Sequence, residues 1–193
     1  MDYSMNVEMI LDKAYALMDQ SVIEGNCGEL CGNHCCRPLD EQGEKMGMYL
    51  LPYEYKYLKM KNGLKGMVVE YHDQETFELP EGIEGMYYLF CDEEKCLRGL
   101  RPIQCRTYPF EPHLVDGQLY LVIEKQQVHS CPLLVMQDEW RQAFVEGIFD
   151  GWALLLSIPK IKHYIQGESN NRNKENNIEK IYNRKTWMSM VDG

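Results

Sequence analysis

Eight cysteines carry most of the chemistry this 193-residue sequence can do. Four fall within ten residues, in the run Cys27-Gly-Glu-Leu-Cys31-Gly-Asn-His-Cys35-Cys36-Arg37-Pro38. Cys91, Cys96, Cys105 and Cys131 make a looser second group. The first twelve residues carry three acidic side chains and no apolar stretch of the kind an export signal needs, so a cytoplasmic, reducing location is expected. Clustered thiols there stay reduced and read first as metal ligands, with all eight cysteines as candidates. Their density is below that of a disulfide scaffold.

Spacing leaves the metal open between zinc and an iron–sulfur cluster. Structural zinc sites favour short knuckles, and Cys27/Cys31 and Cys91/Cys96 are near that range, but the longer gaps are atypical. Clusters also take four thiolates, and Cys131-Pro132 weakly echoes a ferredoxin ligand followed by proline. Glycines around the first group let the backbone wrap an ion. Adjacent Cys35 and Cys36 point in different directions in most backbones, so they would rarely both serve one tetrahedral ion. Arg37, Arg98, Arg101 and Arg106 lie near cysteines in sequence. They can offset thiolate charge through hydrogen bonds, or pair instead with Asp92, Glu93, Glu94 and Glu111. His34 and His129 are lesser ligand candidates. The sequence has no glycine-rich dinucleotide loop, no phosphate loop, no serine nucleophile elbow and no radical-type C-x3-C-x2-C triplet.

A formal charge of −10 argues against a nucleic-acid partner. No apolar run approaches the roughly 20 residues of a membrane-spanning helix. The elements that must hold the thiols follow from periodicity. Residues 4–22 repeat apolar side chains at helical spacing through Val7, Ile10, Leu11, Ala14, Met18 and Val22. Residues 25–47 read as glycine-rich loop, and a short helix is expected from Pro52 to Met60. Met67–Tyr71 and Tyr87–Phe90 read as strands, 91–112 as irregular, and 114–123 as a hairpin turning at Asp116-Gly117. A second strong helix is expected over Gln137–Leu156, with Pro159 interrupting or ending it. The expected class is α+β: amphipathic helices flank one small antiparallel sheet, with long cysteine loops organised by metal. The expected organisation is a metal-binding domain over 1–166. A polar, flexible linker over 167–177 and a terminal helix within 178–190 follow it, making 167–193 a tail.

These residues resemble the cysteine-cluster family described as zinc- or iron-chelating, with a C-x2–3-C-x2–3-C-C signature. Cys31–Arg37 matches the signature core. Residues 48–58 (MYLLPYEYKYL) match a segment in which leucine-proline-x-glutamate starts a helix. Arg101-Pro102-x-x-Cys105-Arg106-Thr107-Tyr108-Pro109-Phe110 matches its most specific string, and Ser130-Cys131-Pro132 its last cysteine. The likeness covers roughly residues 25–135. One branch of that family is the flagellin lysine N-methylase, which implies an iron–sulfur cluster and methyl transfer to protein lysines. The chain departs from that branch in its first cysteine gap and in lacking the long C-terminal region. The leading expectation is therefore a cytosolic metal-binding protein holding an iron–sulfur cluster, of the 4Fe–4S kind, or zinc. The alternatives are a methylase-like enzyme acting on a protein or peptide, and a non-catalytic carrier or interaction module. The terminal helix is expected to pack on the body or on a partner, and the carrier reading rests on the polar linker and on that Trp187-bearing tail docking a partner.

Overall fold

The computed structural model describes residues 3–36, 39, 43, 45–76, 79–91, 98–127 and 131–191. Among these, seven α-helices and six β-strands give a mixed α+β fold with two three-stranded antiparallel sheets, where one was expected. The first helix, α1 (Tyr3–Leu17), is followed by the single turn α2 (Gly28–Cys31). The first sheet takes β1 (Met48–Tyr49), β2 (Val68–Asp73) and β3 (Gly85–Phe90) in the order β1-β3-β2, with α3 (Glu54–Met60) between its first two strands. A short helix, α4 (Ile103–Thr107), leads into β4 (Glu111–Val115) and β5 (Gln118–Ile123). These two strands form the expected hairpin, with Asp116 and Gly117 both at positive φ, the conformation a tight two-residue turn demands. After α5 (Gln142–Leu155) and α6 (Pro159–Lys174), β6 (Lys180–Tyr182) adds to β5 and completes the second sheet. The last helix is α7 (Arg184–Val191).

The two strong helical patterns find each other. Val7, Leu11, Ala14 and Met18 of the first stripe and Phe144, Ile148 and Trp152 of the second are buried in one core. A Cβ at Gly147 would lie 2.1 Å from the Leu17 carbonyl oxygen, so glycine sets how closely α5 approaches the end of α1. The helix expected to run to residue 22 stops at Leu17. Beyond it the chain turns and bends, and the Val22 carbonyl accepts the Arg141 amide at 2.8 Å. The helix expected from Gln137 starts only at Gln142. Trp140 and Arg141 are extended, which lets the Trp140 indole turn back and donate to the Leu133 carbonyl at 3.0 Å.

Three further expectations are corrected. Pro159 does more than end a helix: it opens α6, where its missing N–H costs nothing. The polar run expected to be a flexible linker continues α6 to Lys174, and the expected boundary at 166/167 falls inside that helix. Two of its polar side chains are internal partners. Ser169 is buried and accepts the Leu114 amide at 2.9 Å. Arg172 is buried and donates to Glu124 at 2.5 Å and to the Pro112 carbonyl at 2.9 Å. Nor is Trp187 available to a partner. It is fully buried among Phe110, Trp140, Phe149 and Tyr182, with ring centroids 4.3–5.6 Å away. Among the described residues no helix is long and apolar enough to cross a membrane.

Candidate functional site

The platform of the site is α4, which carries Cys105 and Arg106. An exposed five-residue helix would be marginal by itself; here one buried carboxylate fixes its start. Glu54, at the first turn of α3, accepts the Ile103 amide at 2.7 Å, the Leu51 amide at 2.8 Å and the Tyr15 hydroxyl at 2.6 Å. Burial pushes the Glu54 carboxyl up, while these donors and nearby Arg106 pull it down. This carboxylate joins the leucine-proline-x-glutamate string directly to the Arg101–Phe110 string and to α1.

Arg106 holds the other side of the platform. Its guanidinium is almost wholly buried and sits 4.6 Å over the Tyr15 ring. It donates to Asp19 at 2.8 Å, to the Arg101 carbonyl at 2.8 Å and to the Gly99 carbonyl at 2.7 Å. Sequence proximity placed Arg106 beside thiolates or beside Glu111 and the 92–94 acids. The structure shows it pinning the 99–101 loop to α1.

The thiols gather against this platform. Cys35 and Cys36 come from the short turn after α2, Cys91 from the end of β3, and Cys105 from α4. All four line one cavity of about 170 Å³, together with Met46, Met48, Arg101, Gln104, Tyr108 and Glu111. Cys105 Sγ lies 3.1 Å from Met48 Sδ. Cys27 and Cys105 line an adjoining cleft. The Cys35 thiol is driven far up by its hydrogen bond with Cys36, by burial, and by the neighbouring thiols of Cys105 and Cys27. Burial also raises Cys131, with a further push from Cys27 and Cys31, which places those three sulfurs in one neighbourhood. The seven described cysteines are in the thiol form. Cys96, Arg37, His129 and the acidic run 92–94 lie outside the described residues, as does the Arg98 side chain. His34 is exposed, and its Nδ1 donates to the Cys31 carbonyl at 3.0 Å.

Among the described residues, no three Cys, His, Asp or Glu side chains are drawn tightly enough together to hold an ion as they stand. The donor set nevertheless fits a thiolate-bound metal in its chemistry. Soft sulfur ligands from three separate segments line one partly enclosed space, and the crowding that opposes ionisation of Cys35 is what a cation would relieve.

Sequence reasoning missed three contributors to this cavity. Met46 and Met48 add thioether sulfur to its wall, and Glu111, considered only as an arginine's partner, faces it from the start of β4. Burial lifts the Glu111 carboxyl to about 7; Arg172 pulls it down and Glu124 and Glu168 push it further up. The available signal for Glu111 was its place one residue beyond the Tyr108-Pro109-Phe110 string. Compared with protein-family models, curated proteins and solved structures, the chain matches none.

Proposed function

We propose that this protein binds a metal through its clustered thiols, and that the group held is an iron–sulfur cluster. The observation that carries the reading is the shared cavity: Cys35, Cys36, Cys91 and Cys105 meet on it from three segments far apart in sequence. Cys27 lines the adjoining cleft and has Cys31 and Cys131 as neighbours, so the thiols outnumber the four ligands of one structural zinc. The resemblance of the cysteine strings to a metal-chelating family supports the same reading. A cluster held there supplies electron transfer when bound. The chain's own part is to bring the 27–36 loop against α4, to line the space with Met48 and Tyr108 against water, and to present Arg101 near the thiolate charge.

The test is elemental analysis and visible absorption of the full chain purified without oxygen. Iron and sulfide with a broad visible band are expected. Cys35→Ser and Cys105→Ser should each lose most of the metal. One colourless zinc per chain would replace the cluster with a structural site, and full metal content in both variants would overturn the ligand assignment.

A further inference from the structure

Beside the thiol cavity lies a second, larger cleft of about 390 Å³, within the range of sites that take small metabolites. Its wall is unusual for a chain of charge −10. Among the described residues, Arg101, Arg106 and Arg141 line it together with one carboxylate, Asp19. That carboxylate is already engaged by Arg106 at 2.8 Å. Arg141 stands just before α5 and is exposed. Its backbone is fixed by the Val22 carbonyl, and its guanidinium donates to Ser21 Oγ at 2.7 Å. Among the described residues no carboxylate pairs with it. A guanidinium offers five donors in a planar fork suited to the two oxygens of a carboxylate or phosphate. One serine hydroxyl leaves most of that capacity unused.

We propose that this cleft binds a small molecule bearing a carboxylate or phosphate, held by Arg141 and Arg101. The site needs no metal for its electrostatics. Arg101, Cys105 and Tyr108 line both spaces and Cys27 lines the cleft, so the bound molecule lies against two of the thiols.

The test is isothermal titration of the full chain with inorganic phosphate and, separately, with citrate at constant ionic strength. One site per chain is expected for at least one probe. Arg141→Gln should weaken it on the order of tenfold, the worth of a charged hydrogen-bond pair. Because Arg141 is exposed, the variant should keep its circular dichroism and metal content. Binding of phosphate alone assigns a phosphoryl ligand, and binding of citrate alone a carboxylate. The proposal falls if neither probe binds at millimolar concentration, or if Arg141→Gln binds as the wild type does. Cys35→Ser serves as the control that separates the two sites: it should lose metal and keep anion binding.

Discussion

Replacing Glu54 with alanine should release α4 from the rest of the core. The side chain is fully buried and accepts three hydrogen bonds, from Tyr15 Oη at 2.6 Å, Ile103 N at 2.7 Å and Leu51 N at 2.8 Å. Without it, two backbone amides are buried with no acceptor, at about 1–3 kcal/mol each. The change also relieves the cost of burying a carboxylate, which is why the group's pKa is raised. Offsetting the two gives a net loss of about 2–5 kcal/mol, a large part of a typical total of about 5–15 kcal/mol. Glu54→Gln keeps the shape and one oxygen for Tyr15 and Ile103, but sets an amide N–H against the Leu51 N–H. It should cost about 1–3 kcal/mol. Tyr15→Phe removes one hydrogen bond and leaves both amides satisfied, at about 1 kcal/mol. Urea unfolding followed by circular dichroism reads all three as midpoint shifts at constant slope. The reasoning is refuted if the alanine variant unfolds within about 0.5 kcal/mol of the wild type, or if Tyr15→Phe costs as much as Glu54→Ala.

Two other perturbations probe the surroundings. Burial raises the Glu111 carboxyl to about 7. A carboxyl that binds its proton more tightly in the folded state stabilises the fold below its unfolded pKa, and that contribution is lost as pH rises through the folded value. Between about pH 4.5 and 7 the wild type should therefore lose stability relative to Glu111→Gln, by on the order of 1–3 kcal/mol. Parallel pH profiles of the two proteins would sink this. Trp187→Ala empties a fully buried site between Phe110 and Trp140 and should cost about 3–5 kcal/mol in denaturant unfolding. A near-neutral result would mean that α7 is not part of the core.

What the sequence discloses follows the range of the forces involved. The stripes through Val7 to Met18 and Phe144 to Trp152 are periodic, so their helices and their burial are legible. Asp116-Gly117 announces its turn locally. The strands β1 and β6 have two and three residues, too few to show alternation, and they exist because β3 and β5 offer them partners. That is also why one sheet was expected and two are found. The C-terminal half of α6 reads as a solvated linker because its composition is polar. Only the folded chain reveals that Ser169 and Arg172 face the backbone of β4. Likewise the cysteine pattern marks which residues do chemistry, while the role of Glu54 as the tie between two motif strings depends on a contact 49 residues apart.

The two sides of the thiol cavity are held in different ways, and this shapes what a metal would do there. The 27–36 loop makes hydrogen bonds within itself, such as Asn33 N to Gly28 O at 2.8 Å and Cys36 N to Asn33 O at 2.9 Å, and packs Cys27 against the core. Cys105, by contrast, rides on a helix fastened through Glu54 and Arg106 to α1, α3 and the 99–101 loop. A ligand bridging them would close a loop of about 70 residues between Cys35 and Cys105 onto a prebuilt platform. The ordering cost would then fall on the cysteine loop alone, because the α4 side is already fixed. The same asymmetry bears on the arginine-lined cleft. Its walls are set by Arg106 with Asp19 and by the Val22–Arg141 backbone contact, both on the platform side. The Arg141 side of the cleft therefore does not depend on whether the thiols are occupied, whereas Cys27 and the shared wall of Arg101, Cys105 and Tyr108 connect the rest of it to the thiol cavity.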